Sequence, residues 1–361
     1  MTRHSDATAG ELRAKFAGDL GQGRTSEWLA AFASVPREVF TPSFWQQDAE
    51  NQWREVTVGN PAYLKTVYSN VALTTQLDER GIPTSSSSEP GLMLAMLDAL
   101  CAEAGHTVYE LGTGTGYNAA LLSWRLGDEN VVTVDVDPVL THLARMRLSR
   151  TQMHPTVLTA DGAEGHKNRA PYDRIIATAG LRCLPPQLLD QASDGAVIVA
   201  PIGFGVAQVT VSGRGEAGGQ FLSTPAYFMP RRAPSKPPAF AELETQEAER
   251  TEVPAEDVLD RLKFPLSLAL PGYNSCSWRD GEGRITGVGL WTADGSTASV
   301  HVEGKVRQTG PQRLWDTVEE LAKTFPDGTP ARQEFGLTIT PEAQRAWYRD
   351  PDGPSWALHP L

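Results

Sequence analysis

The sequence predicts an α/β protein: a Rossmann-like, doubly wound parallel sheet followed by a smaller C-terminal α+β domain. Three observations carry that expectation. Residues 108–120 join an apolar strand to a glycine-rich turn and the start of a helix. Strand-like and helix-like runs then alternate as far as Ala200, as the crossover connections of a parallel sheet require. Acidic residues close three successive strands, at Glu110, Asp135 and Asp161, and it is at such strand ends that these sheets bind ligands.

In chain order, residues 1–24 are polar and glycine-rich at their end, which predicts a mobile lead-in. Residues 28–40 read as one helix with Trp28, Leu29, Phe32 and Val35 on a shared face, stopped by Pro42. Leu92, Met93, Met96, Leu97 and Leu100 recur at helical spacing directly after a run of serines, so that helix begins beside Ser88. Asp137 as N-cap and Pro138 at the first position open another, with Val139, Leu140, Leu143, Ala144 and Met146 as its apolar stripe. Residues 156–160, 173–177 and 196–200 supply further strands, and 207–212 and 226–229 extend the sheet. The proline-rich stretch 230–238 breaks all periodicity. It divides the chain into a ligand-binding domain over 25–232, a linker over 233–256 and a second domain over 257–361.

In that second domain, 285–291 and 299–302 are β-rich runs flanking Asp294-Gly295, a two-residue hairpin signal. Residues 314–325 form an amphipathic helix and 335–340 a strand. Trp278, Trp291, Trp315, Trp347 and Trp356, of nine tryptophans in the chain, all lie here. They either fill a small core or form an aromatic surface for a peptide, which an exposed strand edge could also hold.

Gly112, Gly114 and Gly116 let backbone approach a ligand at the N-terminus of the following helix. A phosphate loop would need a Lys-Ser/Thr pair where Tyr117-Asn118 stand, and a dinucleotide fingerprint would need glycine at 117. Glu110, just before the turn, is placed to pair with a cation such as a sulfonium or an ammonium. Asp135 is placed to hold two ribose hydroxyls, and Asp161 to accept a hydrogen bond from an adenine amino group. That pattern fits S-adenosylmethionine (SAM). The expected cofactor residues are Glu110, Gly112, Thr113, Gly114, Gly116, Asp135, Val136, Asp161 and Gly162.

Five segments in one order resemble the motifs of protein-L-isoaspartate O-methyltransferases: FASVPREVF at 32–40 followed by Pro42, SEP at 88–90, ELGTGTGY at 110–117, APYDRIIA at 170–177 and GAVIVAP at 195–201. The resemblance covers residues 25–232 and implies methyl transfer from SAM to a carboxylate of aspartyl or isoaspartyl peptides, with Ser88 as the catalytic residue at the methyl acceptor. The chain departs from the repair enzymes in two ways: it runs on to residue 361, and residues 83–90 contain four consecutive serines. Both features are similar to homologues of ribosomal peptide biosynthesis that accompany ATP-grasp ligases in graspetide maturation. That resemblance implies methylation of an aspartate of a modified precursor peptide, the ester then closing to an aspartimide, with Ser85, Ser86 and Ser87 as substrate contacts. General isoaspartyl repair is the alternative, and a SAM-binding partner without turnover a third.

A net charge of −12 over 361 residues argues against nucleic acid as a partner. Cys101, Cys183 and Cys276 have neither a metal spacing nor the even count of a disulfide framework, so no metal is expected and a reducing compartment is. The amino terminus is polar and no apolar run is long enough to span a bilayer, which predicts a cytoplasmic protein without membrane contact. Nothing in the sequence specifies an oligomeric state.

Overall fold

The computed structural model describes residues 2–229 and 238–359. They form two compact units, one built from the chain up to Ala179 with Pro185–Ala200 and Gln208–Gly215, the other from Gly180–Leu184, Pro201–Ala207 and Glu216 onward.

The first unit opens with α1 (Thr2–Leu20), where a mobile lead-in is expected. Phe16, Ala17 and Leu20 place a buried apolar stripe on an otherwise polar helix. The Phe16 ring meets Phe32 at 6.2 Å and Tyr68 at 5.7 Å. The single helix expected over 28–40 is two, α2 (Leu29–Ser34) and α3 (Arg37–Phe40). Val35 and Pro36 between them are extended, because proline disfavours helical geometry in the residue before it. Next come β1 (Ser43–Gln47), β2 (Trp53–Thr57), α4 (Tyr63–Val67), β3 (Leu73–Leu77) and β4 (Pro83–Ser87). The four strands form an antiparallel sheet in the order β2-β1-β3-β4, so most of the serine run is a sheet-edge strand. α5 (Pro90–Leu100) follows, with Met93, Leu94, Met96, Leu97 and Leu100 buried.

The central sheet matches the expected alternation: β5 (Val108–Leu111), α6 (Tyr117–Leu126), β6 (Val131–Asp135), α7 (Pro138–Arg150), β7 (Thr156–Thr159), β8 (Tyr172–Ala177), α8 (Pro186–Asp190) and β9 (Ala192–Ile202). The strands run parallel in the order β9-β8-β5-β6-β7. All four residues of β5 are buried, as expected of a strand covered on both faces. The order reverses direction between β5 and β8, which opens a crevice at their carboxyl ends. On α7 the inward stripe is Leu140, Thr141, Ala144 and Leu148; Val139 and Met146 are exposed, contrary to expectation, because Asp137 and Pro138 fix the start of the helix and turn those positions outward.

β10 (Gly205–Gly213) passes from the second unit to the first at Ala207–Gln208. The second unit continues with β11 (Glu216–Pro225), β12 (Glu249–Arg250), α9 (Lys263–Ala269), β13 (Asn274–Arg279), β14 (Ile285–Trp291), β15 (Thr297–His301), β16 (Lys305–Thr309), α10 (Leu314–Thr324), β17 (Phe335–Ile339), β18 (Gln344–Tyr348) and β19 (Ser355–Leu358). One sheet runs β12-β16-β15-β14-β13, with Asp294-Gly295 in the β14–β15 turn and Gly295 at φ +89°. In the other, β11 pairs with β17, β17 with β18 and β18 with β19.

These pairings revise the expected boundaries. β11, placed in the ligand-binding domain by position, belongs with the C-terminal strands because its ladder partners are there, Ala217 opposite Ile339 and Gln220 opposite Gly336. Residues 226–229 are not a strand. The proline-rich break at 230–237 lies outside the described residues, and the linker expected to continue to 256 instead supplies β12, paired with β16, and a short 3-10 turn at Phe240–Thr245. Phe264, Phe325 and Phe335 centre the core, with Phe264 and Phe335 at 4.9 Å. Trp291, Trp315 and Trp347 are buried, whereas Trp278 and Trp356 are half-exposed. Among the described residues no helix is long and apolar enough to cross a membrane.

Candidate active site

The glycine turn connects β5 to α6 at the crevice. Its three glycines have φ of +102°, +51° and +87°, values that side chains rarely tolerate. Their surroundings differ. A Cβ on Gly112 would lie 2.6 Å from Thr178 Oγ1, the hydroxyl that donates to the Gly112 carbonyl, and one on Gly116 would lie 3.1 Å from the Ala144 Cβ of α7. These two are glycines because neighbouring elements press against them. Gly114 faces β4 instead, where a Cβ would sit 3.8 Å from the Ser86 carbonyl oxygen and 4.0 Å from Ser85 Oγ. Cofactor turn and serine strand are thus adjacent. Thr113 is buried and its hydroxyl bonds that of Thr133 at 2.7 Å, which ties the turn to β6.

Glu110 is fully buried. Its Oε1 accepts from Asn118 Nδ2 at 2.7 Å, and Oε2 has no partner of good hydrogen-bond geometry, although the Thr133 hydroxyl beside it favours the anion. Burial pushes the carboxyl up to about 7; Asp135 adds to that push, while Thr133 and Asn118 oppose it. Asp135, half-buried at the end of β6, accepts from the Gly114 N–H at 2.9 Å and from the Asp137 N–H at 3.1 Å, which leaves each oxygen a lone pair. Val136 beside it is 67% exposed, an apolar surface next to a carboxylate. Asp161 is exposed and accepts from the Ala163 N–H at 3.0 Å. Gly162 is a packing position, since a Cβ there would lie 2.7 Å from Leu111 Cγ. The orphaned Glu110 oxygen, the Gly114 opening and the acid with an exposed apolar neighbour fit a ligand carrying a cation, a diol and a flat base.

Ser88 follows β4 and is half-buried. It does not cap α5: the N-cap residue is Glu89, and the Gly91 N–H goes to Asn70 Oδ1 at 2.6 Å. Among the described residues its hydroxyl has no partner, so it is available to a substrate. Ser85 and Ser87 are buried and Ser86 half-buried. Ser85 Oγ accepts from Thr75 Oγ1 at 3.4 Å, and Ser87 Oγ accepts from Arg37, which makes Ser87 a structural residue instead of the expected substrate contact.

Arg37 has no place among the residues singled out from sequence. It is fully buried, and its guanidinium donates to the carbonyls of Val67, Ser69, Val71 and Ser88 at 2.9–3.2 Å, to that of Ser87 at 3.4 Å and to the Ser87 hydroxyl at 3.3 Å. Burial lowers it to about 10, still protonated at neutral pH, and all these partners are uncharged. A signal for it exists in the sequence: Arg37 lies in the FASVPREVF segment, where Arg37-Glu38 is a charged pair set between apolar residues.

A family model described as protein-L-isoaspartate(D-aspartate) O-methyltransferase matches residues 19–225. The chain is 30% identical over 176 residues to a protein-L-isoaspartate O-methyltransferase of Methanospirillum hungatei, covering 48% of this chain and 69% of that one. To the protein of the same name from Azorhizobium caulinodans it is 37% identical over 145 residues, covering 40% and 63%. A solved structure called protein-L-isoaspartate O-methyltransferase superposes with a TM-score of 0.56 at 19% identity, covering 94% of this chain and 100% of that chain. The last comparison concerns fold alone, and its coverage extends over much of the C-terminal unit as well.

Proposed function

This chain belongs to the protein-L-isoaspartate(D-aspartate) O-methyltransferase family, which makes it a SAM-dependent carboxyl methyltransferase, and from that premise we propose that its acceptor is the carboxylate of isoaspartyl residues in peptides and proteins. The observation that carries the reading is the adjacency of the glycine turn and the serine strand at Gly114 and Ser85–Ser86. It brings the cofactor side and the acceptor side of one reaction together.

When bound, SAM supplies an electrophilic methyl group on a sulfonium. The acceptor carboxylate is ionised at neutral pH, so no residue need act as general base. Catalysis then rests on orientation and on exclusion of water, which strengthens the attraction between carboxylate and sulfonium. Asp135 and Asp161 would hold ribose and adenine, with the exposed Val136 side chain available to the base. Glu110, poised near neutrality and lacking one partner, would pair with the cationic part of the cofactor. Ser88 donates its hydroxyl to the non-attacking carboxylate oxygen. Arg37, held behind Ser87 and Ser88, favours an anion at that place and fixes the strand that presents the hydroxyl.

The test is a pair of synthetic peptides identical except for aspartyl or isoaspartyl linkage at one position. Incubated with enzyme and SAM, the isoaspartyl peptide should gain one methyl group by mass and the aspartyl peptide none. Methylation of neither would overturn the reading. The serine segment favours a second: methylation of one aspartate in a modified precursor peptide, followed by aspartimide closure. Selective methylation of an aspartyl side chain in such a peptide would support it over the first. The length of the chain does not favour it, since a solved structure called protein-L-isoaspartate O-methyltransferase covers 94% of this chain in fold.

A further inference from the structure

The sheet of the second unit carries a small aromatic pocket to which neither cofactor nor acceptor chemistry gives a role. On β14, Gly287 stands opposite Trp278 of β13 and His301 of β15, and Gly289 opposite Cys276 and Ser299. Directly opposed residues share a face, so these two rows lie side by side. A ring occupies the space over Gly289, and the Val300 carbonyl oxygen, 2.7 Å from a Cβ, together with a ring occupies that over Gly287. A Cβ on Gly289 would lie 2.4 Å from Phe240 Cζ, and one on Gly287 2.9 Å from Trp278 Cε3. Trp278 and His301 are parallel to within 12° with ring centres 6.1 Å apart, and Phe240 stands edge-on to Trp278 at 5.1 Å. Around them is a pocket of about 230 Å³ lined by Phe240, Ala241, Trp278, Ser299 and His301.

Aromatic cover of a glycine-bearing strand is a known sheet-stabilising device, and it accounts for Trp278 and Phe240. It does not account for Ser299. That residue is 2% exposed, lines the pocket, and its hydroxyl has no hydrogen-bond partner among the described residues. A buried hydroxyl left unpaired is costly, and the cost is relieved when a ligand brings the missing partner. Ring faces select a flat apolar group, and a hydroxyl at the wall selects one with a hydrogen-bonding tip. A volume of about 230 Å³ suits one side chain.

We propose that this pocket anchors a tyrosine side chain of the peptide substrate, its ring against Trp278 and Phe240 and its phenol hydroxyl on Ser299 Oγ. The proposal rests on the reading that the substrate is a polypeptide, but its test involves no methyl transfer, so the two can fail separately.

Ligand-observed saturation-transfer NMR on the full chain, with N-acetyl-L-tyrosinamide and N-acetyl-L-phenylalaninamide as probes, decides it. The tyrosine amide should bind saturably and roughly three- to tenfold more tightly than the phenylalanine amide, the effect of one hydrogen bond. Ser299→Ala should bring the two to equal affinity, and Trp278→Ala should remove both. Ser299→Ala deletes one unpaired atom, so it keeps the test sound even if Trp278→Ala does not fold. No saturable binding, equal binding to the wild-type chain, or a tyrosine preference that survives in Ser299→Ala would each overturn the proposal.

Discussion

At the scale of single residues, the proposed site combines one half-buried serine hydroxyl with several buried supports. Ser88 has a hydroxyl without a partner among the described residues and no capping duty, so its removal is expected to cost chemistry and not stability. Ser88→Ala should lower kcat by about one to three orders of magnitude, in the range of losing one oriented donor, with SAM affinity and melting temperature unchanged. Steady-state kinetics alongside thermal denaturation check this; a drop in stability instead would return Ser88 to a structural role. Glu110 makes stability depend on pH. Its folded value of about 7 lies above its ordinary 4.5, so the folded protein holds the proton more tightly than the unfolded chain. Its contribution to stability is therefore full below about pH 4.5 and is lost as the pH rises to about 7. Glu110→Gln removes this slope, so the variant should gain stability relative to wild type between pH 5 and pH 8, by on the order of 3 kcal/mol. Urea midpoints at the two pH values measure it, and parallel profiles would mean that Glu110 does not carry the shift. Glu110, Asp135 and Asp161 can be picked out from the sequence because a carboxylate at the end of an apolar strand stands out against its neighbours; that the three serve one ligand is part of the proposal. The separate reasons for the three glycines cannot be picked out, since Thr178 and Ala144 reach Gly112 and Gly116 only through the fold.

At the scale of elements, the parallel strands were readable because burial on both faces makes them continuous apolar runs, as in β5 and β6. The antiparallel sheet of the first unit was not. β4, with the sequence Pro-Thr-Ser-Ser-Ser, carries no strand signal, and its conformation depends on pairing with β3 and on Arg37. α1 is hard to read for the opposite reason: the four residues buried among its described side chains, Ala9, Phe16, Ala17 and Leu20, do not stand out in composition. Arg37 joins α3, the segment after α4 and the end of β4 through a planar fork that a lysine cannot reproduce. Arg37→Lys should therefore cost about 2–4 kcal/mol in stability and raise KM for the peptide more than that for SAM, because the strand it frees lies on the acceptor side. Melting temperature and the two KM values test it. A lysine variant equal to wild type in both would show that β4 holds its place unaided.

At the scale of the whole molecule, the composition indicates a second folded region but places its edge at the proline-rich stretch, where the chain looks most broken. Pairing of β11 with β17 shows why a break in sequence is a poor guide: a strand belongs to its ladder partners, and these lie more than a hundred residues further on. A chain ending at Met229 should consequently lose β17, β18 and β19 and leave β11 as a bare edge prone to association. Such a chain is expected to aggregate or to melt well below the intact protein; circular dichroism and size-exclusion chromatography check this, and a monodisperse, folded fragment would mean that β11 is stable without its partners. Every role proposed for the site depends on the glycine turn and its acids holding SAM, and calorimetric titration with S-adenosylhomocysteine of the wild-type chain and of Asp135→Ala tests that most directly. Loss of charge-assisted hydrogen bonds to the ribose predicts binding weaker by about 2–4 kcal/mol, roughly 30- to 1,000-fold, in the variant; equal affinity in the two proteins would contradict it.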